Sequence, residues 1–348
     1  MEHLHDCGRG HDAGKIRHLA EDDKLWNALD CCPMRVALFF WGRLPVPDYG
    51  GTQRMVVCLA RGLAEAGHRV SLLAAPGSEV PEATLVPVDP IDARRPDFAV
   101  APHLPKDMDL LLSFVPLRRP PDAPWIHRLA GNRKPGESGP PNTIYVSENH
   151  ARRHGGHAWV YNGLDPRDFG FRREKDDYDL FLGRFHRAKG YRLAVEGAKR
   201  SRRRLLVAGG WRPSLSRWVR YIGKVGGARK ASLLAGARVF WMPAQWEEPC
   251  SNAILEALVS GTPVLGTRRG SLPEIITPDV GALGDTVDDL VALRPGLDRI
   301  DPEACRARIE RHFTYRTMTE GYLRMFREYL ATGTLPAGVP LGAAAGAG

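Results

Sequence analysis

The chain has 348 residues, 43% apolar and 26% charged, which is the length and composition of about two soluble globular domains and excludes disorder throughout. No segment approaches the ~18 uninterrupted apolar residues of a membrane-spanning helix, and residues 1–30 lack the apolar core of a secretory signal. The net charge of +9, from 49 basic and 40 acidic residues, suits an anionic small molecule, a membrane surface or nucleic acid without choosing among them.

Forty of the basic residues are arginine, a bias that fits GC-rich coding as well as selection for binding. The six cysteines (Cys7, Cys31, Cys32, Cys58, Cys250 and Cys305) show no CxxC spacing and no dense framework, so a reduced, cytosolic compartment is expected.

Residues 1–33 are polar and carry no strand pattern. They read as a flexible extension; a metal site from His3, His5, His11, His18 and Cys7 is the weaker reading, because the spacing is irregular. Arg35–Phe40 is a short apolar run of the kind a buried parallel strand shows. A Gly/Pro-rich loop follows, then a helix from about Thr52 to Ala66 with Val56, Leu59 and Leu63 on one face and Gly67 as terminator. Arg69–Ala74 is the next strand. This βαβ unit implies a parallel sheet flanked by helices, hence an α/β fold. Further strands are expected at Leu110–Phe114, Trp125–Leu129 and Thr143–Val146.

A second series starts after the polar stretch Phe171–Asp177. Strands are expected at Tyr178–Leu182, Arg204–Ala208, Arg238–Met242 and Pro263–Leu265. Helices are expected at Tyr191–Lys199 and at Ser251–Val259, the latter with Ser251 as N-cap and Gly261 as terminator. A last helix, 315–330, carries Met318, Tyr322, Met325, Phe326 and Tyr329 on one face, a stripe that another surface must cover. The Gly/Ala-rich tail, 331–348, is expected to be flexible.

Ligands of open parallel sheets bind beyond the carboxyl ends of the strands, so the loops that follow strands carry the chemistry. Gly50 and Gly51 let backbone N–H groups approach an anion at the start of a helix, although a tight turn explains them equally well. Neither GxGxxG nor GxxxxGK[ST] occurs. Arg184 and Lys189 flank the loop after the strand at 178 and suit the oxygens of one diphosphate; on charge alone, solvated side chains are the commoner explanation. In the segment Trp246–Glu256, Glu248 lies in a loop and Glu256 in the helix after it. Both are carboxylates able to accept bonds from hydroxyl groups.

These segments together resemble the glycosyltransferases of family four. The resemblance is carried by RVALFF and PVPDYGGTQRMVVCLARGLAEAGHRVSLLA near the start, VYNGLD at 160–165, FLGRFHRAKG at 181–190, and above all MPAQWEEPCSNAILEALVSGTPVLGTRRGSLPEII at 242–276, which contains an E-x7-E pattern as Glu248 and Glu256. It spans 34 to about 330 and is weak at 76–124.

The resemblance implies a GT-B architecture: two facing Rossmann-like domains with parallel sheets, 34–163 on the acceptor side and 164–314 on the nucleotide-sugar side, with helix 315–330 crossing back to the first. It implies that Arg184 and Lys189 hold the diphosphate, that Glu248 faces the donor sugar, that Glu256 binds ribose hydroxyls, and that Gly51 approaches the phosphates or the transferred sugar. Gly50, Pro249, Cys250 and Ser251 complete the donor-binding set. The activity implied is transfer of a sugar from a nucleotide-diphosphate donor, most commonly of UDP, with retention of configuration and with neither a metal nor another cofactor. His127, at the end of a strand, is either a polar group beside the transferred sugar and part of the catalytic set or a structural histidine.

The triplet Asp107-Met108-Asp109 precedes a strand rather than following one, so it is not read as a metal-binding DxD. A sugar-nucleotide epimerase of the same shape and a non-catalytic sugar-nucleotide binder are the alternatives. The pair Glu248/Glu256 speaks against the first, and the intact set with Arg184 and Lys189 against the second. The run Lys199–Arg204 lacks interleaved aromatics, so nucleic acid is not an expected partner; a solvated patch, or peripheral contact with an anionic membrane at its inner face, is. The acceptor is left open.

Overall fold

The computed structural model describes residues 33–46, 50–134 and 136–342. The extension expected at 1–33, with its histidines and Cys7, lies outside them except for its last residue.

The first half contains β1 (Arg35–Phe39), β2 (Arg69–Ala74), β3 (Thr84–Pro87), β4 (Leu110–Ser113), β5 (Trp125–Arg128) and β6 (Thr143–Ile144), in the order β3-β2-β1-β4-β5-β6. All neighbours are parallel. The apolar runs are buried on both faces: Val36 to Phe39 and Leu110 to Leu112 are at most 1% exposed. The second half repeats the plan with β7 (Asp179–Leu182), β8 (Leu205–Ala208), β9 (Val219–Gly223), β10 (Phe240–Met242), β11 (Val264–Gly266) and β12 (Gly281–Leu283), in the order β12-β11-β10-β7-β8-β9, again all parallel. Each sheet changes direction of winding between its first and fourth strands. A parallel sheet opens a crevice at that point.

Helix α1 (Gly51–Glu65) follows β1. The first half also carries α2 (Glu148–Arg153), and the second carries α3 (Tyr191–Arg200), α4 (Gly227–Gly236), α5 (Asn252–Val259), α6 (Leu272–Ile275), α7 (Val287–Leu293) and α8 (Pro302–His312). Strands β3, β9 and β12 were not expected. Each lies at or next to a sheet edge and is short or half-buried, so its apolar pattern is weak.

The C-terminal helix α9 (Tyr315–Thr332) crosses back, as expected. Met318, Tyr322, Leu323, Met325 and Phe326 join the core of the first half. The approach to α1 is close: a Cβ on Gly62 would fall 2.0 Å from Thr319 Oγ1, so only glycine fits there. The expected flexible tail is corrected for 331–342. Leu335 is buried in the first core, Gly338 N donates to His157 O at 2.8 Å, and Arg324 donates to Ala337 O.

The polar stretch 171–177 is tied to the second half. The Lys175 ammonium donates to Ala235 O, Ser260 O and Thr262 Oγ1, and burial pulls its pKa down to about 8. Asp109 accepts bonds from Arg35, through its backbone N at 2.7 Å and its Nη2 at 2.6 Å.

Candidate functional site

The carboxyl ends of the two sheets face each other, and the loops after their strands meet there. From the first half comes the glycine loop. Gly51 is the first residue of α1, and its carbonyl accepts a bond from Asn252 Nδ2 at 3.2 Å; a Cβ on Gly51 would stand 3.1 Å from the same nitrogen. The two halves therefore touch where the N-termini of α1 and α5 meet, a place where unpaired backbone N–H groups and helix dipoles favour an anion.

From the second half comes the loop after β7. His186 accepts from Ala188 N, and Arg187–Lys189 forms a tight turn that ends at Gly190. Gly190 has φ +70°, and a Cβ there would lie 1.7 Å from Pro243 O, so glycine is required at this position. This turn aims Lys189 at Glu248, with Nζ 2.9 Å from Oε1 and 2.8 Å from Oε2. Trp246 Nε1 donates to the same carboxylate, and its ring lies under the Lys189 ammonium at 5.3 Å. Glu248 is 5% exposed. The backbone of Glu248 is crossed by Gly270 at φ +61°, where a Cβ would meet Glu248 O at 2.2 Å.

Glu256, on α5, is also buried. Lys230 of α4 holds both its oxygens, at 2.9 and 2.8 Å, and Arg54 of α1 reaches across from the first half to Oε1 at 2.9 Å. Beside this cluster lies a cavity of about 410 Å³ whose walls include Gln53, Arg54, Asp168, Lys230, Asn252 and Glu256.

The structure thus brings together Gly51, Lys189, Glu248 and Glu256 around one crevice. Arg184 lies on the same loop as Lys189, exposed and without a side-chain partner among the described residues. Gly50 occupies the N-cap position of α1. Ser251 stands at the N-cap position of α5, but its side chain makes no capping bond, so the expected cap is a positional one only. Pro249 O accepts from Ser147 Oγ at 2.7 Å and Cys250 O from Asn162 Nδ2 at 3.3 Å, which fastens this loop to the first half. Burial pushes the Cys250 thiol up to about 12, so it stays protonated.

His127 lies in β5, one residue before its end, 4% exposed, with Nδ1 unpartnered among the described residues. Burial, then the Arg133 charge, lowers its pKa to about 4, so the ring is neutral near pH 7.

Sequence reasoning missed Arg54, Lys230, Trp246, Arg128 and Asn162. Arg54 lies three residues beyond Gly51 and Lys230 three beyond Gly227, so each is one helical turn from a glycine that opens a helix. That placement was a usable signal for cations near a helix start, but their convergence on Glu256 required the fold.

Residues 178–294 match the family model described as Glycosyl transferases group 1. No curated protein sequence matches the chain. Among solved structures, AviGT4, a glycosyltransferase involved in avilamycin A biosynthesis, is similar at 29% identity and TM-score 0.71, covering 87% of this chain and 100% of its own. Sucrose-phosphate synthase from Thermosynechococcus elongatus is similar at 19% identity and TM-score 0.67, over 86% and 99% of the two chains. Anabaena HepE, solved with UDP and glucose, is similar at 13% identity and TM-score 0.62, over 85% and 100%. The fold is that of the GT-B glycosyltransferases, and with the group 1 match it makes the chain a glycosyltransferase.

Proposed function

We propose that the chain is a retaining glycosyltransferase of the family-four kind, which moves a sugar from a nucleoside-diphosphate donor, with UDP as the favoured nucleotide, to an acceptor hydroxyl without a metal ion. The observation that carries this reading is the pair of buried carboxylates, Glu248 and Glu256, each already facing a lysine at the crevice floor. UDP is favoured because HepE, of the same fold, has been solved with UDP and with UDP-glucose.

The chemistry follows from charge. Breaking the glycosyl–phosphate bond leaves negative charge on the diphosphate and positive character on the sugar. Lys189 and the N–H groups that open α5 and α1 supply positive potential to the first, already oriented before reaction, and the exposed Arg184 adds charge from the same loop. Glu248 then faces the sugar and Glu256 the ribose hydroxyls, in a site sheltered between two halves. In this reading His127, neutral near pH 7, would exchange a hydrogen bond with a sugar hydroxyl rather than a charge. No dedicated anion sink beyond these cations is required, which supports the metal-free reading.

The among-residue pattern is matched by a simple assay. Purified protein is incubated with UDP-, GDP- and dTDP-sugars and a panel of acceptor saccharides and alcohols, with EDTA present, and the glycoside products are followed by NMR. Release of UDP, with the α-configured product from an α-linked donor, supports the proposal. Conversion of the donor sugar to an isomer without release of nucleotide points instead to an epimerase, and binding without turnover of any donor points to a non-catalytic binder. The described helices include none long and apolar enough to cross a membrane. Peripheral membrane contact through 199–204 is part of the proposal only as a surface property, since Arg200 and Arg203 already pair with Asp288 and Asp298.

A further inference from the structure

Beneath the loop that carries Glu248 sits an arginine with no carboxylate beside it among the described residues. Arg128 ends β5 and is 1% exposed. Its Nε donates to the Tyr322 hydroxyl at 2.8 Å, its Nη2 donates to Asn162 Oδ1, and its guanidinium lies 5.2 Å from the Phe114 ring centroid. All three partners are neutral; burial pushes the Tyr322 hydroxyl above its ordinary value and keeps it protonated. Nη1 has no hydrogen-bond partner among the described residues. The buried Lys230 and Arg294 are neutralised by Glu256 and Asp179, and the partly buried Lys189 by Glu248. A buried charge is costly unless something pairs it. Arg128 is therefore a fully buried cation without a carboxylate partner among the described residues.

Asn162 indicates where that counter-charge belongs. Its Nδ2 donates to Asn252 Oδ1 at 2.7 Å and to Cys250 O at 3.3 Å. Asn252 opens α5, and its own amide donates to Gly51 O. The chain of contacts from Arg128 thus runs through Asn162 to the two helix starts between which an anion is favoured. It also runs to the loop that carries Glu248.

We propose that Arg128 is a positioning residue for the donor diphosphate: it orients the amides of Asn162 and Asn252, and its uncompensated charge is offset when the diphosphate settles between the starts of α5 and α1. The inference rests on the nucleotide-sugar reading above and extends it to residues on the first half. Arg128 acts through Asn162, so a diphosphate need not touch it. The unliganded protein carries the cost of the unpaired charge, and the ligand relieves it.

The test uses the full chain, with calorimetry against inorganic pyrophosphate and UDP and thermal melts without ligand. Arg128→Gln should melt no lower than wild type when unliganded, yet bind pyrophosphate about tenfold more weakly, the scale of one screened charge contact. Arg128→Lys should recover most of that affinity. Asn162→Asp places an internal anion against the guanidinium; it should raise the melting temperature and weaken pyrophosphate binding by about tenfold.

If Arg128→Gln melts lower and binds pyrophosphate as wild type does, the arginine is structural and the proposal fails. Unchanged pyrophosphate binding in Asn162→Asp overturns it too, even if Arg128→Gln does not fold. If the wild type binds neither UDP nor pyrophosphate, the donor reading itself falls and takes this inference with it.

Discussion

The two carboxylate pockets of the crevice use the same chemistry with different ownership. Around Glu248 everything comes from the second half: Lys189, the Trp246 indole and the backbone at Gly270. Around Glu256 the lysine is again local, but Arg54 arrives from the first half. Separation of the halves leaves Lys189 on Glu248 but frees the Glu248 loop from Ser147 and Asn162, and it removes a cation from the second pocket. Charge at Glu248 is thus set within one domain, whereas charge at Glu256 reports whether the domains are closed. In the proposed reaction the sugar end of the donor meets a fixed environment and the nucleotide end meets one that changes with closure.

The sharpest way to break this comparison is at Lys189. Lys189→Ala strips the Glu248 pocket of its cation and the diphosphate of a charge that grows as the bond breaks. Turnover at saturating donor should fall about a hundredfold or more, the loss seen when a preorganised group for developing charge is removed. Arg184→Ala, exposed and unpaired, should fall about tenfold. Turnover within threefold of wild type in both variants would remove the diphosphate role from this loop.

The second comparison sets Glu256→Gln against Glu248→Gln. An amide at 256 keeps one acceptor oxygen and leaves Lys230 and Arg54 facing a neutral group. Binding of free UDP should weaken by about tenfold to a hundredfold, corresponding to loss of a charge-assisted hydrogen bond of ~1.5–3 kcal/mol. Glu248→Gln should spare UDP and damage use of the sugar-bearing donor. Calorimetry with UDP and with the donor on both variants separates them. Equal UDP affinity in the two would merge the pockets into one function.

Acid distinguishes the halves in another way. His127 and His150, both of the first half, have pKa values lowered to about 4 and about 3, each first by burial. The unfolded chain protonates them near the ordinary histidine value of about 6.5. Stability from these groups is complete above pH 6.5. It is lost as pH falls toward 4, because the unfolded state binds protons that the folded state refuses. The melting temperature should drop by roughly 5 °C between pH 7 and pH 4.5, and by less in His150→Gln. An identical drop in wild type and variant would assign the acid sensitivity elsewhere.

Much of this was legible in the chain. The buried strands read directly, because a parallel strand covered on both faces is a continuous apolar run: RVALF, LLLS and LLVA are examples. The apolar stripe of α9 announced that something must cover it, and the first core does. Local spacing placed Glu248 in a loop and Glu256 in a helix. The edge strands escaped notice because VRYIG and TLVP are half-exposed and carry little pattern. Arg54, Lys230 and Arg128 escaped for a different reason. A cation's meaning lies in what faces it, and Arg54 and Glu256 stand 202 residues apart in sequence. Thirty-eight other arginines offered the same local signal.

The smallest expected effect tests the clasp itself. The Arg54 side chain is 32% exposed and shares one oxygen of Glu256 with Lys230. A half-solvated pair of this kind is worth at most about 1 kcal/mol. Arg54→Ala should therefore change nucleotide affinity by no more than about fivefold, and its sign is informative. If Arg54 competes with ribose for Oε1, removing it frees that oxygen while Lys230 keeps the carboxylate in place. UDP should then bind about threefold more tightly. The halves lose a contact, so small-angle scattering should show a larger radius of gyration without ligand, and turnover should fall as closure becomes less favourable. Tighter UDP binding with slower turnover would identify Arg54 as a closing contact that the nucleotide displaces. Weaker UDP binding would make Arg54 a donor ligand contributed by the first half, and the contrast between a fixed pocket and a closing one would rest on a direct bond to nucleotide instead of on competition for Glu256.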